Sequence, residues 1–240
     1  MHINNIKIIN ILIYILNKNV QIDLPKTGAV LLWVSGGLDS ALGLYVIARH
    51  IKQNKLKTKI VIATWKRDAN DNPEHWQKKA KDWNVTHTKK IMAWIEKDLK
   101  LTKTQKFKHI IVPTPPKVGL RIPDEDWQKV FDDNKTKYKL KDTIGFVTKN
   151  PSRSVMKEHG MYTDERPKYR DGHHRKHNSK PWQNYDKSFI ARCFEAEGLM
   201  KGLYPLTRSC EGQAYVTKNF TQPCEKCWWC LEKYWAFKQY

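Results

Sequence analysis

The sequence predicts an α/β protein built on a parallel sheet, and three observations carry that prediction. An apolar run, Ala29-Val30-Leu31-Leu32-Trp33-Val34, ends in a serine and two glycines. A helical pattern follows from Leu42 to Ile51, and a second apolar run, Lys59 to Trp65, closes the unit. Two short apolar runs joined through a helix make a βαβ unit, whose strands run parallel and whose crossover is right-handed.

The totals bound the answer. At 240 residues the chain buries one good core with a small appendage. A hydrophobic content of 40% with 10 Trp excludes a wholly disordered chain despite 28% charged residues. The formal charge of +20 favours phosphate-bearing partners, either nucleic acid or ATP. The lysines are spread along the chain and gather in no single block, so charge alone does not choose between them. The first apolar segment, Ile6 to Leu16, is broken by Lys7 and Asn10 and falls short of the ~20 apolar residues a membrane helix needs. No small-residue cleavage site follows it, so the expected location is cytoplasmic, with no membrane partner. Nothing in the sequence excludes a homodimer.

In chain order, residues 3 to 20 read as a helix covering one face of the sheet, with a strand over Ile6 to Leu16 as the alternative. Pro25 and Gly28 punctuate the entry into the strand at 29–34. After the strand at 59–65, residues 66–73 form a polar loop at the carboxyl edge of the sheet, where open α/β folds place ligands. Glu74 to Trp83 reads as a helix with Trp76, Ala80 and Trp83 on one stripe, and Lys89 to Leu99 as another. His109 to Pro113 is a third strand, stopped by prolines. A helix is expected from about Asp124 to Asp132, and a further strand over Asp142 to Thr148, followed by the candidates Asn150 and Arg153. Residues 163–182 are basic and polar. They read as a mobile lid over phosphates or as a solvated loop, with Arg166 and Arg170 as the phosphate candidates. His173, His174 and His177 lie among arginines and lysines that would repel a cation, so they make a poor metal site. From Asp186 the pattern is helical again, with Cys193 on its apolar face reading as a small buried hydrophobe.

Two stretches carry chemistry. The first is Val34-Ser35-Gly36-Gly37-Leu38-Asp39-Ser40. A strand that ends in two glycines and runs into a helix leaves several backbone N–H groups pointing one way, at the positive end of the helix dipole. Gly36 and Gly37 let the main chain approach a phosphate oxygen, and Ser35 and Ser40 add hydroxyl donors. Asp39 would repel phosphates unless a cation sat between them, so magnesium-bound triphosphate is the expected ligand. The second is Cys210 with Cys224, Cys227 and Cys230, spaced C-x13-C-x2-C-x2-C. Four thiolates at this spacing suit one tetrahedral zinc ion acting as a structural clip, with an iron–sulfur cluster as the rival.

These stretches carry a resemblance. Ser35 to Ser40, S-G-G-L-D-S, resembles the PP-loop of the N-type ATP pyrophosphatases, which cut ATP between its α and β phosphates. T-R-S-C-E-G, a variable loop and P-C-E-K-C-W-W-C-L-E-K-Y-W-A-F resemble the zinc-binding end of the 7-cyano-7-deazaguanine synthase family, and Asp186 to Ile190 resembles that family's K-x-x-I helix. The resemblance covers about residues 29–65 and 186–237. It departs at Glu211, where the family has an aromatic residue, and at Glu225, where it has glycine; residues 120–182 align with nothing in it.

The resemblance implies a parallel-sheet, Rossmann-like PP-loop domain (adenine nucleotide alpha hydrolase-like) over residues 1–190, with a helical zinc-binding segment over 191–240 packed on it. It further implies an ATP-dependent ligase of the 7-deazaguanine and queuosine type, making 7-cyano-7-deazaguanine from 7-carboxy-7-deazaguanine and ammonia and releasing AMP and pyrophosphate. Ser35, Gly36, Gly37, Leu38 and Ser40 would hold phosphate, Asp39 magnesium, and Lys187 the charge on the α-phosphate or the substrate carboxylate. Two alternatives remain open: a relative that adenylates or thiolates a tRNA base, and a non-catalytic nucleotide or nucleic-acid binding module.

Overall fold

The computed structural model describes residues 8–15, 18–66, 83–113, 124–161, 180–210 and 221–240. The chain opens with β1 (Ile8–Ile15) and β2 (Lys18–Pro25), an antiparallel hairpin in which Ile11 faces Ile22. The expected helix over 3–20 is therefore wrong, and the strand alternative is right. In β2, Val20, Ile22 and Leu24 are buried, a period of two that a helix cannot bury on one side. The run Ile8–Ile15 is rich in isoleucine, a β-branched residue type that favours strands.

The main sheet holds β3 (Ala29–Trp33), β4 (Lys59–Trp65), β5 (Lys108–Val112) and β6 (Leu140–Ile144), all parallel, in the order β5-β4-β3-β6. The expected strand at 142–148 thus lies two to four residues earlier. Between the strands run α1 (Leu38–Gln53), α2 (Trp83–Asp98) and α3 (Asp124–Tyr138); α2 starts ahead of the expected Lys89 and α3 runs past the expected Asp132. Of the expected helix at 74–83 only Trp83 is described. The chain steps from β3 to β4 to β5 on one side and then returns to β6 on the other side of β3. The direction of winding reverses between β3 and β6, and the carboxyl end of β3 is therefore the place where open α/β sheets form their ligand crevice. Val34 to Gly37 leaves β3 at that point.

Alternation along β3 builds two cores. Val30 and Leu32 join α1 and the later helices α5 (Lys187–Ala196) and α6 (Trp228–Phe237) through Phe189, Phe194 and Phe237. Ala29, Leu31 and Trp33 face α3 through Trp127 and Phe131. Burying each such side chain stabilises the fold by roughly 1.5–3 kcal/mol, so the chain's last helix is held by the same core as its first parallel strand. A short helix, α4 (Arg153–Glu158), is capped by Ser152, whose hydroxyl accepts from the Val155 amide. Among the described residues no helix is long and apolar enough to cross a membrane.

One glycine of α1 is a packing requirement. A Cβ built at Gly43 would collide with the edge of the Phe146 ring, which comes from the loop after β6. Gly43→Ala should therefore lower stability by about 1–3 kcal/mol through overpacking. Denaturant unfolding of Gly43→Ala, and of Gly43→Ala with Phe146→Leu, checks this: the second variant should recover most of the loss.

Candidate functional site

The loop between β3 and α1 is held open by its own geometry. Gly36 lies at φ +80°, in the left-handed region, and a Cβ there would come within 2.9 Å of His87 Cβ and 3.2 Å of Asn84 O. Both constraints exclude a side chain, so the close approach of α2 is what Gly36 permits. Gly37 is the N-cap of α1 in extended conformation, with no side-chain cap, and the first helical bond runs from Ala41 N to Gly37 O at 3.0 Å. The amides of the first turn thus face the crevice at the positive end of the helix dipole. Ser40 is buried and bridges the turn: its Oγ accepts from Ser35 N at 3.2 Å and donates to Gly37 O at 3.2 Å. Ser35 is exposed, 3.5 Å from that hydroxyl, and Leu38 is buried in the core.

The strand side of the loop is fixed from β4 and α2. Thr64 Oγ1 and Thr88 Oγ1 both donate to Val34 O, at 2.8 and 3.3 Å. His87 Nδ1 donates to Leu206 O at 2.8 Å; burial, foremost, holds this imidazole below the ordinary histidine range. The far side of the loop is fixed by the tail, where Arg208 N donates to Gly36 O at 2.8 Å.

Asp39 is the charged centre. Lys187 Nζ donates to both carboxylate oxygens, at 2.6 and 2.7 Å, and Thr148 Oγ1 to Oδ2 at 3.3 Å. Trp182 Nε1 donates to the Asp39 carbonyl at 3.0 Å. Lys187 is buried at 6% exposure, and Glu232 of α6 lies 3.9 Å from its Nζ. The Asp39 side chain keeps 18% of its surface. Lys187 opens α5, whose N-cap Asp186 accepts from the Ser188 and Phe189 amides and so fixes where the lysine points. The expected pair Asp39 and Lys187 is in direct contact. Asn150 is buried in the loop that carries Thr148, and Arg153 is exposed at the start of α4. Arg166, Arg170, His173, His174, His177 and Glu211 lie outside the described residues.

Four residues at this site escaped sequence reasoning: Thr148, Trp182, Arg208 and Glu232. No local pattern marks them, because their partners are distant in the chain.

The four cysteines converge. The Sγ atoms of Cys210, Cys224, Cys227 and Cys230 all lie within 4.8 Å of one another, and Cys224 Sγ is 3.9 Å from Cys230 Sγ. A tetrahedral ion with metal–sulfur bonds of ~2.3 Å sets its sulfurs about 3.8 Å apart, so the spacing suits one ion. A cluster of several irons spreads its thiolates wider. Cys224 N donates to Cys210 Sγ at 3.2 Å and Cys227 N to Cys224 Sγ at 3.3 Å, bonds that favour thiolates. Cys230 is buried, and its hydrogen bonds with Cys210 and Cys227, with burial, push its thiol up. Beside it the buried Lys233 ammonium is pushed down to about 8, by burial first. Cys193, by contrast, is fully buried in the core and burial pushes its thiol up to about 12, as befits a packing residue.

The cysteine group and the loop are contiguous. Arg208 and Ser209 precede Cys210 directly, and a Cβ at Gly37 would meet Arg208 O at 3.6 Å and Ser209 Oγ at 3.9 Å. Whatever closes the four thiolates also sets the position of the strand of chain that braces Gly36 and Gly37.

No family model matches the chain, and no curated protein matches it. Among solved structures it is similar to the U34-tRNA thiolase NcsA from Methanococcus maripaludis, described with its 4Fe-4S cluster, at 12% identity and a TM-score of 0.41 over 72% of this chain and 58% of that one. It is also similar to NAD+ synthetase from Burkholderia pseudomallei, at 12% identity and a TM-score of 0.39 over 89% of this chain and 75% of that one. The chain thus spans 58% of the thiolase's length. At such identity and overlap the functional reading rests on this chain's own residues.

Two outcomes follow for the cysteine group. The purified protein should hold one divalent ion per chain by plasma mass spectrometry, and Cys227→Ser should reduce that content severalfold. Glu225, between the second and third cysteines, sits at φ +61°, where a side chain is strained. Glu225→Gly should raise stability by about 0.5–1 kcal/mol, read as an increase in melting temperature at unchanged metal content.

Proposed function

We propose that the chain is an ATP-dependent, PP-loop-type enzyme that activates a substrate carboxylate by adenylation. The observation that carries this reading is the loop itself. An open first helical turn, a left-handed Gly36 and an Asp39–Lys187 pair stand together where the sheet's winding reverses. The finer reading is synthesis of 7-cyano-7-deazaguanine from 7-carboxy-7-deazaguanine and ammonia, and the paired motifs at Ser35–Ser40 and Cys210–Cys230 support it.

In this reading the amides of residues 36–40, with the Ser35 hydroxyl, receive the β and γ phosphates and stabilise pyrophosphate as it leaves, while the Ser40 hydroxyl, bonded within the turn, keeps the loop in shape. A substrate carboxylate oxygen attacks the α-phosphorus, the bond to the β-phosphate oxygen breaks, and the carboxylate becomes an acyl adenylate. Ammonia then attacks the acyl carbon, AMP departs, and the nitrogen sheds a proton to leave the amide. A second adenylation on the amide oxygen lets AMP and a further two protons leave, giving the nitrile. Lys187 transfers its ammonium from Asp39 to the negative oxygens of the α-phosphate or the substrate carboxylate. Asp39, already part-exposed, has the lone pairs to hold magnesium, which when bound neutralises phosphate charge. Catalysis is then mostly positioning and charge neutralisation.

Zinc is the proposed occupant of the four-cysteine group, with Cys210, Cys224, Cys227 and Cys230 all used as ligands. Four thiolates leave no open position for substrate, so the ion holds the chain and does no chemistry.

A second reading, adenylation of a tRNA base, is favoured by the net charge of +20. Incubation with magnesium-ATP, ammonium and 7-carboxy-7-deazaguanine, followed by mass spectrometry, separates the two. Nitrile with AMP and pyrophosphate is expected; AMP formed only when tRNA is added would favour the second reading, and no AMP under any condition would end both. Gly36→Ala, which forces a side chain onto α2, should cut turnover about 100-fold or more and Lys187→Met by a comparable factor, both with the fold retained by circular dichroism.

A further inference from the structure

We infer that the amino-terminal edge of the parallel sheet, opposite the loop at Ser35–Ser40, is a docking surface for duplex nucleic acid held through its phosphate backbone. Three connections lead from a helix into a parallel strand: residues 52–59 after α1, 97–108 after α2 and 135–141 after α3. Parallel strands start on the same edge, so all three lie together. Direct contacts join them. Lys59 N donates to Gly28 O at 2.9 Å, the adjoining Ala29 N donates to Lys139 O at 3.0 Å, and Lys52 Nζ donates to Leu99 O.

These connections are almost wholly basic. Residues 52–59 hold four lysines and no acid, residues 97–108 five lysines and one acid, Asp98, and residues 135–141 four lysines and no acid. Twelve of these thirteen lysines are exposed, Lys52 alone being half-buried, and the exposed Lys26 stands just ahead of β3. Scattered in sequence, they form one face in the fold.

The backbone shows that charge is retained here at a conformational cost. Lys55, Lys100 and Lys139 follow the last turns of α1, α2 and α3 at φ +50°, +46° and +57°, left-handed angles that favour glycine. Leu56 N bonds Ile51 O and Lys55 N bonds Lys52 O; Leu101 N bonds Glu96 O and Lys100 N bonds Lys97 O. The same pair of bonds closes α4 and α5, but there the left-handed residues are Gly160 and Gly198. Lys238 after α6 is also left-handed, though no strand follows it. The helix dipoles do not demand lysine at these turns, because Lys52, Lys97, Lys135 and Lys137 already stand in the last helical turns.

The chemistry of the face selects the partner. Arginine, which reads base edges bidentately, is absent from all three connections. Neither of the exposed large apolar residues among those described, Ile111 and Tyr234, lies on these connections, and the half-buried Tyr138 has Lys137 Nζ 5.1 Å from its ring centroid, so the face offers single-stranded bases no row of exposed aromatic rings. Lysines alone bind phosphates as point charges and confer no sequence preference. A pocket of about 330 Å³ at this edge is lined in part by apolar side chains such as Leu56 and Phe107, with the exposed Lys57 and Lys59 on its wall as donors for a phosphate.

The test is fluorescence anisotropy with a labelled DNA duplex of about 25 base pairs, titrated from about 50 to 200 mM salt, on the full chain and on Lys55→Gly/Lys100→Gly/Lys139→Gly. The full chain should bind, and the triple variant should bind about tenfold or more weakly, with the slope of log affinity against log salt reduced by about 2 to 3. Its melting temperature should stay equal or rise, since glycine relaxes the three turns. An RNA duplex in place of DNA should give the same pattern, because the backbone is what is held. The inference is overturned if the duplex does not bind, if vesicles of phosphatidylserine bind and the duplex does not, if the triple variant keeps the full slope, or if it melts lower. The surface is independent of the loop chemistry, so nucleotide turnover by the triple variant should match that of the full chain.

Discussion

The hydrogen bond from Arg208 N to Gly36 O is the contact on which the crevice depends. A left-handed glycine at a strand end is a weak element on its own, since it has no side chain to pack and pays the largest loss of chain freedom on ordering. Here it is gripped on both sides. Thr64 and Thr88 hold the Val34 carbonyl before it, and the tail holds its own carbonyl. The amides that follow are left free of strain to point outward from α1, and an anion meeting them needs no rearrangement of the backbone.

The ion pair extends that grip. Asp39 stands on the first turn of α1, Lys187 on the first turn of α5 and Glu232 on α6, so one short charge chain ties three helices around the loop. Burial makes each partner of this chain costly to leave alone, which is why N-capping of α5 by Asp186 matters: it sets the lysine's position before any ligand arrives. The thiolate group on the other flank performs the same service for Arg208 and Ser209. The loop is thus positioned by two independent fastenings, one ionic and one built from sulfur.

Much of this was legible in the residues. β3 and β4 stand where apolar runs end in punctuation, and S-G-G-L-D-S marks the turn because its glycines and hydroxyls have few other uses. The four cysteines converge as their spacing requires. The N-terminal hairpin is the ambiguous part, because an isoleucine-rich run fits the helix expected over 3–20 and the alternative strand alike; the deciding pattern is the Val20-Ile22-Leu24 alternation in the partner strand. Thr148, Trp182 and Lys187 meet Asp39 across 109, 143 and 148 residues of sequence, and no local pattern records such contacts. The basic edge was equally invisible, since thirteen lysines distributed over ninety positions look like composition until the strands bring their starting points together.

The fastening of Gly36 from the tail couples two places that local chemistry would keep apart. A single main-chain bond joins Arg208 to Gly36, and Arg208 stands two residues ahead of Cys210. Loss of thiolate convergence would therefore loosen the turn at Ser35–Ser40 without touching any of its own atoms, and the Arg208 amide would exchange with solvent sooner than the amides of the parallel sheet.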